Sequence, residues 1–442
     1  MKKYGKLIPL LLLSAFLLSG CLIKSGDELL QLPKSAENYL ALQIQLDRTL
    51  KKGASYAAPE TGEYRSTIQL KDLDGDGEDE AIVFFRESDN NGKFSVCLYK
   101  KEKDQYTMAG KISGTGTAVY AVDYPQIDAD GNRAIVVSWT LGTDLNRGMT
   151  VSRLQNGKLD HMLDTEYTAY TFSDLDQDGQ KELLTFAPDD QGRQAARLFH
   201  MQEDKVEEVS DLTMHASRSI VRLTEGRTAD RELAVYVEQK SSDGAGFFTD
   251  ILVYHQDQLL NLTKQARNTD MDTYRTLMIY TRDVDQDNVM EIPEIRSVIP
   301  LNSQDNGASD AVYLLDWYRY SRQNAPQKAM TCFANFADDW ILKCPESWQS
   351  GVTAIWRSSA DGNACIRFQT AQTQPVGLAE IYKIEKEAAA YYTEQADCVV
   401  LGTQEHYVYV AKLLETPASN PMGLSGSQIK SMFSTITGDW IA

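Results

Sequence analysis

The chain is poor in the residues on which transition-metal and thiol chemistry depend: its 442 residues include only five histidines and six cysteines. It has no Cys-x-x-Cys, His-Glu-x-x-His, Walker loop or Gly-x-Ser-x-Gly, so the usual signatures of zinc ribbons, zincins, P-loop NTPases and α/β-hydrolases are missing. Positive charge is also scarce. Lys and Arg total 44 against 63 Asp and Glu, a net charge of −19. That excess repels phosphate backbones and speaks against a nucleic-acid partner, while it suits a protein that collects cations. Long apolar runs are few, and beyond the N-terminus none reaches membrane-spanning length. What remains, 42% hydrophobic and 24% charged, is the composition of a globular chain long enough for two or three domains.

The first residues read Met-Lys-Lys-Tyr-Gly-Lys, followed by an apolar run from Leu7 to Leu18 and then Leu18-Ser19-Gly20-Cys21. A cationic start, a short apolar core and small residues before a cleavage point make a secretory signal. The Leu-Ser-Gly-Cys ending resembles the lipobox of bacterial lipoproteins. The resemblance implies that Cys21 is lipidated and becomes the new N-terminus. The expected organisation is a signal peptide over 1–20 and a tether over 21–34. The body would then be held by its lipid on the extracytoplasmic face of the cell membrane. Cleavage removes three lysines and takes the net charge to about −22.

Self-similarity is the most informative feature. Three nonapeptides carry carboxylates at positions 1, 3, 5 and 9: Asp72, Asp74, Asp76 and Glu80; Asp174, Asp176, Asp178 and Glu182; Asp283, Asp285, Asp287 and Glu291. Two degenerate copies lie between them, one at Gln126–Gly131 with Asp128 and Asp130, the other around Leu223–Glu232, where only Glu232 survives. Each is followed by a short strand-like run such as Ala81–Phe85 or Leu183–Phe186. A second strand (Phe94–Tyr99, Met149–Leu154, Ala196–Met201, Phe248–His255), a more polar third (Gln105–Ile112, Lys158–Leu163) and a fourth then lead to the next loop. Four short strands in a period of about fifty residues predict a mainly β chain: a β-propeller of about five four-stranded blades over 35–322. A small α+β domain is expected over 323–442.

Side chains at alternate positions of a tight loop converge, and a hard dication wants six or seven oxygens at about 2.3–2.6 Å. Gly77 and Gly179 permit the bend, and Asn288 tolerates the same conformation in the third loop. Position 12 lacks an EF-hand glutamate in the first two loops, which have Val83 and Thr185 there. The pattern instead resembles the Asp-x-Asp-x-Asp-Gly-x-x-Asp/Glu loops of FG-GAP and VCBS-type repeats, over roughly residues 60–320. That resemblance implies one structural calcium ion per loop, held by the twelve carboxylates named above. The alternative is a set of Asp-rich turns capped by their own hydrogen bonds.

Before the repeats, Ser35 predicts a helix to about Lys52, with Leu42, Leu46 and Leu50 on one face and Gly53 as its stop. Another helical stretch is expected within Leu259–Thr276. After residue 323, strand pairs are expected at Thr331–Phe336 with Trp340–Lys343 and at Val352–Trp356 with Ala364–Gln369. A helix is expected over Leu378–Tyr392, and a last one carrying Ile429, Met432, Phe433 and Ile436. If the first hairpin turns about Asp338, Cys332 faces Cys344, which leaves Cys365 with Cys398 as a second disulfide; the alternative is four buried reduced thiols. Cys97 reads as core.

Catalytic constellations are sparse. His161, His200, His215 and His255 share no spacing and read as surface or satisfied core residues, and Ser425 reads as a helix cap. Trp317, Trp340, Trp348 and Trp356 suggest a binding platform, but alternation favours the core. These features point to a lipid-anchored protein that binds a protein or glycan ligand in the cell envelope, as adhesin or scaffold, in preference to an enzyme. The competing classes are a surface hydrolase acting on glycan or peptide and an accessory subunit of an envelope transport complex.

Overall fold

The computed structural model describes residues 35–442 apart from 89–91, 104, 115, 129, 143–145, 203–204, 217, 242–243, 268–272, 301–310, 359–362 and 442. The expected signal peptide, Cys21 and the tether lie outside the described residues. Among the described residues no helix is long and apolar enough to cross a membrane.

The strand-like runs of the repeats form, among the described residues, six antiparallel sheets of four or five strands. The chain divides into two compact units between Thr165 and Glu166, inside the repeat region and not at residue 323. In the first unit, Glu80–Glu87, Phe94–Glu102 and Gln105–Ser113 pair in order, with Ala54–Tyr56 and Ile68–Lys71 both on the free side of Glu80–Glu87. A second sheet is built from Ala118–Asp123, Ala134–Thr140, Arg147–Gln155 and Lys158–Tyr167. The two sheets bury a common core that includes Ile82, Phe84, Leu98, Val122, Val137 and Trp139. The helix Ser35–Leu50 lays Leu42 and Leu46 on the other face of the first sheet, against Ala81, Val83 and Phe85, as its apolar stripe predicts.

The second unit stacks sheets in the same way. Ala169–Ser173, Glu182–Pro188, Arg193–Met201 and Val206–Ala216 form the third sheet. Arg218–Arg227, Leu233–Ser241, Phe247–His255 and Gln258–Asn261 form the fourth, sharing a core of Leu184, Phe186, Val235 and Leu252 with the third. Between 259 and 276 the helix is short, Leu262–Arg267. The stretch Leu277–Tyr280 forms only an isolated bridge, Ile279 with Ile441, and not a strand. It is fixed by a buried ion pair: Arg275 Nη2 lies 3.4 Å from Glu238 Oε1, which also accepts the Thr281 N–H at 2.6 Å.

The fifth sheet corrects the expected boundary. Glu291–Pro300 and Ala311–Arg319 are continued by Gln327–Asn335 and Trp340–Lys343, and then by Phe433–Thr435 from the far end of the chain. The residues taken as the start of a separate domain therefore complete the last repeat. Val352–Ser358, Ala364–Thr370, Gly377–Glu385, Tyr407–Leu413 and Cys398–Thr403 pair in that order as the sixth sheet. The expected helix over Leu378–Tyr392 is a strand to Glu385, followed only by the short helix Ala390–Thr393. The strand is central and covered on both faces, so its apolar run carries no clear period. Ser425 caps the helix Gly426–Met432 through a capping box with Gln428, and Phe433 passes into the adjoining strand.

All five described cysteines are free thiols. The register sets Cys332 opposite Lys343, one residue short of Cys344. The strands of Cys365 and Cys398 are separated by two others, a distance of about 14 Å at the usual strand spacing, which rules out that pairing. Trp317, Trp340 and Trp348 are core residues and only Trp356 is exposed, so they form no platform. Leu46→Ala is expected to cost about 2–5 kcal/mol, whereas Leu40→Ala, at a position 62% exposed on the same helix, should change stability by less than about 0.5 kcal/mol. Urea midpoints of the two variants measure the difference.

Candidate metal centres

Each acidic nonapeptide leads into a strand whose first residue is the ninth-position glutamate: Glu80–Glu87, Glu182–Pro188 and Glu291–Pro300. The three loops fold alike. The second residue is apolar and turns inward: Leu73 and Leu175 are buried and Val284 packs on the core of the fifth sheet. Positions 4 and 6 both adopt positive φ, at Gly75 and Gly77, Gln177 and Gly179, Gln286 and Asn288. The sequence signalled the sixth position through glycine and asparagine. It gave no such signal at position 4, where Gln177 and Gln286 take the left-handed conformation.

Three hydrogen bonds recur in every loop. The position-6 N–H donates to the first aspartate (Gly77 to Asp72 Oδ2, 3.0 Å; Gly179 to Asp174 Oδ2, 3.2 Å; Asn288 to Asp283 Oδ2, 2.8 Å). The position-7 N–H donates to the third aspartate at 2.7–2.8 Å. The position-2 N–H donates to the glutamate (Leu73 to Glu80 Oε2, 3.0 Å; Leu175 to Glu182 Oε2, 2.7 Å; Val284 to Glu291 Oε2, 2.9 Å).

These bonds leave other oxygens facing inward. One ligand atom each from Asp72, Asp74 and Glu80, from Asp174, Asp176, Asp178 and Glu182, and from Asp283, Asp285 and Glu291 lies within 4.8 Å of the others in its group. Two oxygens bound to one calcium are at most about 5 Å apart, so each group fits a single ion. Asp76 and Asp287 stand outside these groups. Buried Oδ1 atoms of Asp72, Asp74 and Asp174 have no hydrogen-bond partner, and an unpaired buried carboxylate oxygen is costly unless something binds it. The degenerate second copy behaves as a self-capped turn: Asp128 accepts from the N–H groups of Asp130 and Asn132, both at 3.0 Å, and from the Asn132 side chain at 2.6 Å.

Basic residues sit over the loops. Lys100 Nζ bonds Asp74 and lies 3.1 Å from Asp76 Oδ2. Arg319 bonds Asp285, lies 2.9 Å from Asp287 Oδ2 and holds Glu291 Oε1 at 2.7 Å. Over the second loop the residue is His200, with Nε2 3.4 Å from Asp176 Oδ2, a placement that its spacing in the sequence did not signal. Beside that loop, Asp176, Glu232, Tyr254, His255 and Asp257 line an open pocket of about 340 Å³. His255 Nδ1 is 3.6 Å and Arg322 Nε 3.1 Å from Glu232 Oε1. His161 is exposed and pairs only with Asp164.

No family model and no curated protein matches the sequence. Solved structures to which the chain is similar include Sqt1 of Saccharomyces cerevisiae (10% identity over 79% of this chain and 95% of that one, TM-score 0.30). The β-propeller domain of the Trilobed protease from Pyrococcus furiosus is another (12%, 79% and 92%, TM-score 0.26). A rhamnogalacturonan lyase from Bacillus licheniformis is a third (11%, 73% and 71%, TM-score 0.26). Overlaps this low establish neither a common fold nor a common chemistry.

Burial pushes the carboxyls of Glu80, Glu182 and Glu291 up from 4.5 to about 7, against the hydrogen bonds from Leu73, Leu175 and Val284. A carboxyl raised in the folded state favours folding while it is protonated, and that contribution is lost as pH rises from about 4.5 through about 7. The metal-free protein is therefore expected to melt progressively lower over that window. Combining Glu80→Gln, Glu182→Gln and Glu291→Gln should flatten the profile, as differential scanning calorimetry across pH will show.

Proposed function

We propose that the three loops are structural calcium sites and that the repeated sheets are blades of a propeller of about five. The whole would be a lipid-anchored extracytoplasmic protein that acts by binding or scaffolding. The observation that carries this reading is the threefold recurrence of one loop geometry, with the same backbone conformation, the same three hydrogen bonds and carboxylate oxygens gathered within reach of one ion. Asp72, Asp74 and Glu80 would hold the first calcium, Asp174, Asp176, Asp178 and Glu182 the second, and Asp283, Asp285 and Glu291 the third. Bound calcium supplies the positive charge that lets the carboxylates converge. The chain's own part is to tie each loop to its strand through the position-2 N–H and the buried glutamate. Face-to-face packing of consecutive sheets within each unit supports the blade reading. The Leu-Ser-Gly-Cys21 sequence supports export to a compartment where millimolar calcium fills weak sites.

Calcium at ten to a hundred times its dissociation constant should stabilise the fold by about 1.4–2.7 kcal/mol per site. Melting with calcium and with chelator tests this, and a midpoint indifferent to both removes the reading. Asp174→Asn is expected to abolish one of the three contributions. Cys21→Ser should move the protein from the membrane to the soluble fraction. A second reading, a surface hydrolase of glycan or peptide, is favoured by the pocket that gathers Glu232, His255 and Asp257. Turnover of a glycan or peptide panel that Glu232→Gln abolishes would promote it.

A further inference from the structure

The residue opposite the ninth loop position is basic in every repeat. The printed registers pair Arg319 with Glu291 and Arg153 with Ala134. One step beyond the ladders that join Ala81 to Tyr99 and Leu183 to Phe199, Lys100 faces Glu80 and His200 faces Glu182. By the same count His255 faces Glu232 in the fourth repeat. These side chains differ in what they offer a metal. An ammonium or guanidinium has donors only, and Lys100 and Arg319 already use theirs on the loop carboxylates. An imidazole can offer a nitrogen lone pair. His200 Nε2 is shielded from solvent and has no hydrogen-bond partner, while its ring stands edge-on to Tyr254, centroids 6.0 Å apart.

We propose that Asp176, Glu182 and His200 also form a site for a borderline transition dication that competes with calcium for the middle loop, so that this loop accepts a metal class the two oxygen-only loops do not. One ligand atom from each of the three residues lies within 4.8 Å of the others. The separation of His200 Nε2 from Asp176 Oδ2 is 3.4 Å, the edge of a tetrahedron with metal–ligand bonds of about 2.0–2.1 Å, which spans about 3.3–3.4 Å. Mixed nitrogen and carboxylate donors suit zinc, nickel or copper, whereas calcium takes oxygen alone. Glu182 is 2% exposed, and its Oε2 is fixed by the N–H of Leu175, so one ligand is positioned before any ion arrives. The pocket lined by Asp176 leaves room for water to complete the coordination shell. His255 is not equivalent, because Arg322 occupies its glutamate at 3.1 Å. The inference goes beyond the calcium reading of this loop, with which it shares Asp176 and Glu182, and zinc binding and calcium binding can each fail without the other.

The test is a titration of the metal-free full chain with Zn²⁺ alone and, separately, with Ca²⁺ alone, followed by calorimetry. His200→Gln is expected to weaken the tightest zinc event at least tenfold and to change calcium affinity less than twofold. His255→Gln should leave the zinc event unchanged. In imidazole NMR spectra of the wild-type chain, one equivalent of Zn²⁺ should shift the His200 resonances and leave His161 and His406 in place. Equal zinc affinity in wild type and His200→Gln, or absence of any zinc event, overturns the proposal even if calcium binds. Loss of calcium binding with the zinc event intact would instead overturn the calcium reading alone. Melting of both variants without metal checks that neither has lost its fold.

Discussion

A buried glutamate at the start of a strand is the constraint around which each of the three acidic loops is arranged. Glu80, Glu182 and Glu291 are all at most 2% exposed, and a carboxylate so placed must be protonated, hydrogen-bonded or matched by a cation. All three accept an amide hydrogen bond and are shifted toward protonation, and Glu80 and Glu291 also face a permanent cation. The position-2 amide holds one oxygen, burial raises the protonation range, and the facing strand brings a basic side chain. Where the ninth residue is Ala134, the facing Arg153 turns instead to Gln155 and Asp160. Where the aspartates have gone but Glu232 remains, Arg322 and His255 lie beside that glutamate.

That glutamate also links the loop to the core. The amide it accepts belongs to Leu73, Leu175 or Val284, whose side chains are pinned in the apolar interior. The loop therefore cannot shift without moving either a core side chain or the first residue of a strand. Before the third acidic loop no incoming strand is present among the described residues. The buried Arg275–Glu238 pair and the Thr281 amide anchor that approach to the fourth sheet, so a polar clamp replaces a ladder. Breaking such a pair by removing one partner is far more harmful than replacing both, because the survivor stays buried and charged.

The strands and loops were legible in the sequence because both rest on local spacing. Alternation in Phe94–Tyr99 and carboxylates two residues apart in Asp72–Asp76 each refer only to near neighbours. What failed required knowledge of register or layer. His200 could not be placed over Asp176 without the length of the intervening hairpin. The same ignorance put Cys332 opposite Cys344, one residue out, and paired Cys365 with Cys398 across two strands. Gly377–Glu385 was misread because a strand covered on both faces carries no alternation. The boundary at 323 failed because the last repeat borrows Phe433–Thr435 from the chain's far end.

The three loops share a backbone and differ in how their charge is balanced. Lys100 and Arg319 carry permanent charge, so the first and third loops are partly neutralised by the chain itself, and a metal must displace or coexist with a bonded cation. Coulomb repulsion between a dication and a neighbouring ammonium or guanidinium lowers affinity, and does so more strongly where solvent is excluded. The middle loop has no permanent cation in the equivalent position. It gathers four carboxylates where its counterparts gather three, has an imidazole facing it and opens beside a pocket. One fold thus yields two kinds of loop: two that hold their shape through internal ion pairs, and one whose four carboxylates face an imidazole in place of a permanent cation.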